Sequence, residues 1–390
     1  MRNGAKIYKQ KNVYEAAKER INYLFDEFDN VVVGFSGGKD STCVLNLALE
    51  VAEERNRLPL KVMFLDQEAE WVTVIDYIRE VMADERVDPM WFQIPIRLFN
   101  ATSNESHFLN CWNPDDEENW LRPKEEISYK ENIYGKDRFF DMFQAIFEYH
   151  FKDTKACYLA GVRTEESPAR FLAVTSDPTY KFVTYGKKLN RPMEHFTFYP
   201  IYDWSFSDVW KYIHDNNLKY TKLYDQQYQH GIAIKSMRVS NLHHETAVEA
   251  LYYLQDLDKD LWNKLTARIS GINTAGKLGR DNFFNIDKLP FMFTGWKEYR
   301  DHLLDNLITD PVHHKVFKKK FDDMDNRYTF NFYQDDLYKA HIKSLLANDF
   351  EFTKITNWER NPNVDTWRKF QRGITNKWTN TNKYLYGKKK

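Results

Sequence analysis

A short glycine-containing segment, SGGKDS at residues 36–41, combines residue types and spacing that suit phosphate chemistry. Two adjacent glycines let the backbone turn sharply and direct its N–H groups at an anion. If a helix follows, its unpaired N–H groups and the positive end of its dipole also favour negative charge. The hydroxyl groups and the lysine ammonium add further donors. The phosphate-binding residues that we predict are Ser36, Gly37, Gly38, Lys39, Ser41 and Thr42.

The spacing of this segment differs from a Walker A P-loop, which places four residues between its glycine and its Gly-Lys pair. Asp40 directly follows the lysine. It is suited to hold Mg²⁺ against phosphate oxygens, since Mg²⁺ is usually bound by one or two carboxylates plus substrate oxygens. The alternative is that Asp40 is a favourable acidic charge in the first turn of a helix.

A second acidic segment, with Asp66 and Glu68, follows the apolar run KVMFL at residues 61–65. Ligands of parallel sheets bind at the carboxyl ends of strands, so this segment should lie near the glycine loop. Asp66 and Glu68 are candidates to bind ribose or to add metal ligands, with Glu68 as the metal candidate. The alternative is that Glu68 is only a first-turn acid of the next helix.

The elements that must position these residues alternate between short apolar strands and amphipathic helices. Strands are predicted near 31–35, 61–65, 91–96, 156–163 and 196–201, with helical patterns between them. Short apolar strands separated by helices predict a parallel sheet covered on both faces. We place an α/β domain at residues 1–240, with an irregular insertion at about 97–135, and a mostly helical region at 241–390.

The bulk composition is that of an ordinary globular protein. The net charge is −1 and 29% of the residues are charged, so the whole molecule has no field that attracts nucleic acid. The sequence has no long apolar run and no apolar segment behind its first residues, which predicts a cytoplasmic protein without a membrane span. The three cysteines, Cys43, Cys111 and Cys157, form no CxxC pair.

Four segments in the same order give the chain a family resemblance over residues 10–285. The SGGKDS segment resembles the pyrophosphate loop of the N-type ATP pyrophosphatases, which cleave ATP between the α and β phosphates. LAGVRTEESPAR at 159–170 and YPIYDW at 199–204 are similar to segments of phosphoadenosine phosphosulfate (PAPS) reductases and of the ATP sulfurylase small subunit. Asp66 stands where those enzymes carry an aspartate near the nucleotide.

The resemblance implies an adenine nucleotide alpha hydrolase-like (Rossmann-like) fold that binds ATP with Mg²⁺. It brings Gly161 into the nucleotide site. Arg163 and Arg170 can reach phosphate oxygens and stabilise the charge of a departing pyrophosphate. Their alternative is a surface helix on which Glu165 and Glu166 are ion-pair partners. The predicted catalytic residues are Lys39, Asp40, Arg163 and Arg170.

The chain departs from the reductases in its cysteines. No cysteine lies beyond residue 157, so neither the reductive thiolate nor the ligands of an iron–sulfur cluster are expected. The segment from Gly231 through Arg238 resembles instead the IbrA-like PAPS-reductase homologues, whose C-terminal domain has no known function. That group is often encoded beside a ParB/sulfiredoxin-fold protein in bacteria or their phages, which implies such a partner. Arg238 either recognises a phosphate, a carboxylate or a nucleic acid backbone, or is a structural arginine.

The sequence thus predicts an enzyme that cleaves ATP between the α and β phosphates and adenylates an acceptor that it does not identify. The alternative is a nucleotide-binding regulatory or assembly module that acts with the ParB-like partner, on nucleic acid or otherwise. Two basic, aromatic segments, at 313–321 and 358–377, are either solvated helix faces or nucleic-acid contacts. The sequence leaves open whether the chain forms a homo-oligomer.

Overall fold

The first 240 residues alternate between strands and helices as the pattern predicts. The computed structural model describes residues 10–100, 108–175, 180–181, 183–190, 193–239, 242, 248–272, 286, 288–328, 331–347, 349–350 and 352–359. The strands are β1 (Asn30–Gly34), β2 (Leu60–Leu65), β3 (Val87–Phe92), β4 (Ile96–Phe99), β5 (Phe108–Cys111), β6 (Ala156–Leu159), β7 (Gly186–Asn190) and β8 (His195–Phe198).

The α-helices in the described residues up to Arg268 alternate with these strands and then follow them. They are α1 (Val13–Glu27), α2 (Lys39–Glu54), α3 (Val72–Met82), α4 (Phe139–His150), α5 (Pro168–Thr175), α6 (Phe206–Asp215), α7 (Leu223–Gln229), α8 (Val248–Leu257) and α9 (Lys259–Arg268). In α1, Ile21 and Leu24 are buried on one face, and Asn12 caps its first turn. Ser205 and Asp208 form the capping box that begins α6, where the sequence predicted a helix start.

The central sheet has six strands in the order β3-β2-β1-β6-β8-β7. All neighbours are parallel except the edge pair β7 and β8. Val33 of β1 pairs with Val62 of β2 on one side and with Leu159 of β6 on the other. The predicted, mostly parallel α/β sheet is confirmed, and the loops that follow β1, β2 and β6 therefore meet at one edge.

The predicted irregular insertion contains two short strands, β4 and β5, which form a separate two-stranded sheet. A 3-10 turn follows at Pro114–Asn119. Further along, the segment joins the main sheet, since Tyr129 donates its N–H to the carbonyl of Trp91 and accepts one from Gln93. These two hydrogen bonds attach this part of the insertion to the end of β3.

The chain divides into two compact units. The first contains residues 1–98, 109–242 and 253–268, and the second contains 99–108, 243–252 and 269–390. The described residues of the second unit include the helices α10 (Trp296–Leu307), α11 (Pro311–Arg327), α12 (Asn331–Leu346) and α13 (Thr353–Glu359). Its core is built around Phe317, Phe321, Leu337 and Ile342. The helical character predicted for the C-terminal region is confirmed for the described residues, and the domain boundary at residue 240 stays a prediction.

None of the helices in the described ranges combines the length and the apolar character needed to cross a membrane.

Candidate functional site

The glycine loop lies between β1 and α2, at the carboxyl end of the central strand. Gly37 has a φ of +70°, and a Cβ atom there would lie 2.8 Å from the Val74 side chain. Gly38 is the N-cap of α2 and offers no side-chain cap. Position 37 therefore requires glycine. The first turn of α2 begins directly at the loop, as a phosphate cradle needs.

Hydroxyl groups hold the loop in this shape. Ser41 Oγ donates to the Gly38 carbonyl (2.9 Å) and accepts from the Ser36 N–H (3.3 Å). Thr42 Oγ1 donates to the same carbonyl (3.0 Å) and contacts the Tyr77 hydroxyl (3.2 Å). Thr42 is fully buried, and neither it nor Gly37 lines the adjacent cavity. The structure thus places Thr42 beneath the loop, while Ser36 and Ser41 face the cavity.

Asp40 lies between two cations. Its Oδ1 accepts from Arg163 Nε at 2.5 Å, and its Oδ2 lies 3.2 Å from Lys39 Nζ. The Lys39 ammonium is also 5.5 Å from the centre of the Tyr224 ring, and the Tyr224 hydroxyl accepts from the Lys39 N–H (3.1 Å). Arg163 also lies 4.0 Å from Glu165 and 3.9 Å from Glu166. The positive charge that favours an anionic ligand therefore comes from the cavity lining as a whole, which has five cations and four acids.

The segment after β6 packs closely against the start of α2, beside Asp40. A Cβ atom on Gly161 would lie 2.8 Å from the backbone of Asp40 and Ser41, so only glycine allows the segment to approach α2 this closely. Two residues later, Arg163 is 3% exposed and also donates to the Trp204 carbonyl (3.4 Å). The approach permitted by Gly161 brings the Arg163 guanidinium to the Asp40 carboxylate.

Two further predicted arginines line the cavity from more open positions. Arg170 Nε lies 2.7 Å from Glu166 Oε2, and the Arg170 side chain is 48% exposed. Burial raises the pKa of Glu166, and the neighbouring Arg170 opposes that rise. Arg238 is exposed, and Lys235 of the same segment also lines the cavity. Both arginines are placed where a negatively charged ligand could reach them.

The cavity has a volume of about 710 Å³. This is within the usual size of small-molecule sites. Its polar side is formed by the loop, Arg163, Arg170 and Arg238. Apolar and aromatic side chains form other walls: Met63, Phe64, Leu65, Phe139, Phe143 and Tyr158. A ligand with both a charged and an apolar part would match this lining.

The acids after β2 are arranged differently from the prediction. Asp66 is fully buried and accepts hydrogen bonds from Trp91 Nε1 (2.9 Å), Gln93 Nε2 (3.0 Å) and Arg122 Nη2 (2.7 Å). Burial raises its pKa, and Arg122 acts in the opposite direction. Asp66 does not line the cavity. The structure therefore does not bring this predicted nucleotide-binding residue to the site.

Glu68, predicted as a metal ligand, is also fully buried and lies outside the cavity lining. Its carboxylate accepts from the Trp112 N–H (2.9 Å), the Leu121 N–H (3.3 Å) and Arg268 Nε (2.8 Å). Within the described residues no three acidic, histidine or cysteine side chains form a cluster that could hold a metal ion. Glu68 instead ties the insertion and α9 to the end of β2.

Glu70, which the sequence reasoning did not single out, is the acid of this segment that lines the cavity. Glu68 has a φ of +63°, so the chain turns there and does not continue as an extended strand. Because alternation fails at that turn, the spacing of Asp66, Glu68 and Glu70 did not reveal which carboxyl would face the ligand. The signal that the sequence did offer for a cavity-facing acid was the presence of three acids at alternate positions after a strand.

Residues 30–230 match the family model described as the phosphoadenosine phosphosulfate reductase domain. The chain belongs to this family. Residues 231–374 match a second model, described as a domain of unknown function (DUF3440). The match to the first model begins at β1 and includes the loop, Arg163 and Arg170, so the residues that line the positive side of the cavity come mainly from the reductase-family part.

Two proteins that the chain resembles in sequence are YbdN and a sulfate adenylyltransferase subunit. The chain is 30% identical over 316 residues to the Escherichia coli K12 protein YbdN, covering 78% of this chain and 77% of YbdN. It is 24% identical to sulfate adenylyltransferase subunit 2 of Shewanella pealeana, covering 53% of this chain and 64% of that protein. Together these similarities fit the PAPS reductase and ATP sulfurylase small-subunit superfamily.

A solved structure of Candida glabrata FMN adenylyltransferase, in complex with FAD and inorganic pyrophosphate, matches with a TM-score of 0.36 and 16% identity. The match covers 54% of this chain and 58% of that one. The chain thus spans less than two thirds of this enzyme and of the sulfate adenylyltransferase subunit.

Membership in a reductase family does not make the thiols of this chain reactive. Cys43, Cys111 and Cys157 are all fully buried. Burial raises the pKa of each thiol well above its usual value. A nucleophilic cysteine requires the opposite shift, because the thiolate is the reactive form.

The two basic, aromatic segments are only partly described. Residues 313–321 belong to α11, where Lys315 and Lys319 are exposed and Lys318 lies 3.8 Å from Asp322. Of the second segment, Trp358 packs edge-on against Tyr328, with ring centres 5.0 Å apart. Its remaining residues, Arg360, Trp367, Arg368, Lys369, Arg372 and Lys377, lie outside the described residues. Nucleic-acid contact by either segment stays a prediction.

Proposed function

We propose that the chain binds ATP with Mg²⁺ and cleaves it between the α and β phosphates, transferring the adenylyl group to an acceptor oxygen. The observation that carries the proposal is the corner in which Lys39 and Arg163 flank Asp40 beside the glycine loop. The Lys39 and Arg163 cations, the first turn of α2 and the Ser36 and Ser41 hydroxyls suit a pyrophosphate. Family membership supports an adenine nucleotide as the ligand.

In the proposed reaction the acceptor oxygen attacks the α phosphorus and forms a new P–O bond. The bond from the α phosphorus to the bridging oxygen breaks, and its electron pair leaves with pyrophosphate. Lys39, Arg163 and Arg170 stabilise the negative charge that develops on the leaving group. Arg163 is already oriented by Asp40 and the Trp204 carbonyl, so little reorganisation is needed when the nucleotide binds.

Asp40 is the carboxylate suited to Mg²⁺, since Mg²⁺ often takes one protein carboxylate and otherwise phosphate oxygens and water. Its two oxygens face Arg163 and Lys39, and 13% of its side chain is exposed, so Mg²⁺ would bind on the exposed side and share the carboxylate with these cations. When bound, Mg²⁺ would neutralise charge on the phosphates. A reductive reaction is not proposed, because burial disfavours the thiolate form of all three cysteines.

The test is to incubate the full chain with ATP, Mg²⁺ and cell extract as the source of acceptor. Pyrophosphate release is measured, and mass spectrometry searches for an adenylated product. Lys39→Ala should reduce release at least 100-fold, because it removes a cation that stabilises the leaving group. Lys61→Ala is the matched control, since Lys61 pairs with Asp88 (2.5 Å) and does not line the cavity.

Release of ADP and phosphate would contradict the proposed bond cleavage. ATP binding that is lost in Lys39→Ala, with no pyrophosphate released by the unmodified chain, would favour the regulatory alternative with a ParB-like partner. Equal pyrophosphate release by Lys39→Ala and the unmodified chain would contradict the assignment of the loop.

A further inference from the structure

Glu70 is a buried carboxyl that faces the cavity without a protein donor. It is 7% exposed and lies in the cavity lining, together with the glycine loop. Within the described part of the chain no side chain or backbone N–H donates to its carboxyl group. Asp66 and Glu68, in contrast, are each held by several donors. Burying a polar group without a partner is costly, so a cavity-facing group of this kind points to a ligand.

Glu70 lines the same cavity as the apolar side chains at the end of β2. Met63, Phe64 and Leu65, at the end of β2, line the cavity just before it in sequence. The charges that act on Glu70 are those of Asp66 and Arg122, both on this side of the sheet. When the loop holds the phosphates of a nucleotide, its nucleoside extends along the neighbouring strand ends. Apolar walls with a single carboxyl suit a flat, aromatic base.

The hydrogen-bonding chemistry distinguishes between purine bases. Adenine carries an exocyclic amine, which donates, whereas hypoxanthine and guanine carry a carbonyl oxygen at the same position, which accepts. A carboxyl oxygen accepts hydrogen bonds. We propose that Glu70 selects adenine by accepting a hydrogen bond from its exocyclic amine; this inference rests on the proposed binding of a nucleotide at the loop.

The selection requires the ionised carboxyl, because a protonated carboxyl also carries an O–H that can donate to a carbonyl oxygen. Burial and the nearby Asp66 raise the pKa of Glu70 to about 8, and Arg122 opposes that rise. Other charged groups facing the same cavity are Lys39, Asp40, Arg163, Glu165, Glu166, Arg170, Lys235 and Arg238. The ionised carboxylate only accepts, whereas the neutral form both accepts and donates, so the preference for ATP is expected above the pKa of Glu70 and should weaken below it.

The test is equilibrium binding of ATP and ITP to the full chain by calorimetry, at a pH above 8, where the Glu70 carboxyl is ionised, and with Mg²⁺ present. ITP differs from ATP in having the carbonyl oxygen in place of the amine. We expect the unmodified chain to prefer ATP over ITP by at least about 10-fold, because ITP would leave two acceptors facing each other. Glu70→Ala should lower this ratio to less than about threefold.

Two further variants sharpen the result. Glu70→Gln should keep ATP binding and improve ITP binding, because an amide can either accept from the amine or donate to the carbonyl oxygen. Glu166→Gln makes the same chemical change on the Arg170 side of the cavity, and its ATP-to-ITP ratio should equal that of the unmodified chain. Binding of inorganic tripolyphosphate to each variant reports that the loop is intact.

An unchanged ATP-to-ITP ratio in both Glu70→Ala and Glu70→Gln would overturn the inference while leaving the proposed function standing. A chain that binds tripolyphosphate and neither nucleotide would also overturn it, and would limit the loop to inorganic phosphates. A chain that binds none of the three would overturn the proposed function and this inference together.

Discussion

Arg163 in the first unit and Arg300 in the second are both almost fully buried beside a carboxylate, yet their surroundings differ. Arg163 pairs with Asp40 at the wall of a cavity. Arg300 Nη1 lies 3.0 Å from Asp325 Oδ2 and 3.2 Å from His341 Nδ1. Its guanidinium is 5.4 Å from the centre of the Phe321 ring and 5.1 Å from that of Tyr338. The same residue type therefore meets a ligand space in one unit and an aromatic core in the other.

The difference shows that a buried arginine does not by itself indicate a site. Asp40 is shared by two cations, and Arg163 also faces Glu165 and Glu166. Arg170, Lys235 and Arg238 line the same cavity, so cations there remain available to an added anion. The Arg300 guanidinium meets the acids Asp301 and Asp325 and the neutral His341. Its charge is already balanced. We expect changes at Arg163 to affect turnover and changes at Arg300 to affect stability.

The largest expected effect is on the second unit. Arg300→Met should lower its free energy of unfolding by about 3–5 kcal/mol, because Asp325 loses the guanidinium that compensates its charge. Chemical denaturation, with hydrogen exchange followed over α10 to α12, measures the loss. Lys297→Met is the control and should cost less than about 1 kcal/mol, since Lys297 pairs with Asp301 at the surface.

A loss of ATP binding in Arg300→Met, without a loss of stability, would reverse the comparison and indicate that Arg300 serves a ligand.

A somewhat smaller effect, on turnover, is expected in the first unit. Arg163→Met should reduce pyrophosphate release by about 100- to 1000-fold, the usual cost of removing one preorganised donor from a developing charge. Steady-state rates and melting curves are both measured. Arg20→Met is a matched control, because Arg20 makes a two-point contact with Asp203 and lies outside the cavity lining. It should change the melting temperature and leave the rate within about twofold.

The comparison would fail if Arg163→Met unfolded the first unit as strongly as Arg300→Met unfolds the second.

The smallest effect, taken over the single pH unit below 6.5, is a pH dependence of the second unit. Burial and the nearby Arg300 lower the pKa of His341 from 6.5 to about 2. Below pH 6.5 the unfolded chain takes up a proton that the folded unit does not, so stability falls as the pH falls from 6.5 towards 2. The slope is at most about 1.4 kcal/mol per pH unit. Unfolding measured at several pH values should show this slope, and His341→Gln should flatten it.

Much of the site could be predicted from local patterns. The SGGKDS loop and the apolar run before it predicted the strand, the turn and the helix that the structure contains, because glycine geometry and helix start signals act over a few residues. The GVR segment near β6 and the capping box of α6 could be predicted for the same reason. The edge strand β7 was missed. It pairs antiparallel with β8, and the sequence carries no strong alternation there.

The acidic segment after β2 marks the limit of such patterns. Sequence spacing offered Asp66 and Glu68 as ligands, but Trp91, Gln93 and Arg122 come from distant positions to bind Asp66, and Arg268 reaches Glu68 from α9. Partners that lie 25 to 200 residues away leave no local signal.

The sequence by itself determined a glycine loop at the end of a buried strand, and it determined that the chain contains no CxxC pair. Only the tertiary structure decided which charged groups face the cavity. Backbone conformation at a glycine loop depends on near neighbours, whereas a carboxyl faces a ligand or a protein partner according to donors that distant segments supply. Lys39 and Arg163 could therefore be predicted from motifs, and Glu70 could not.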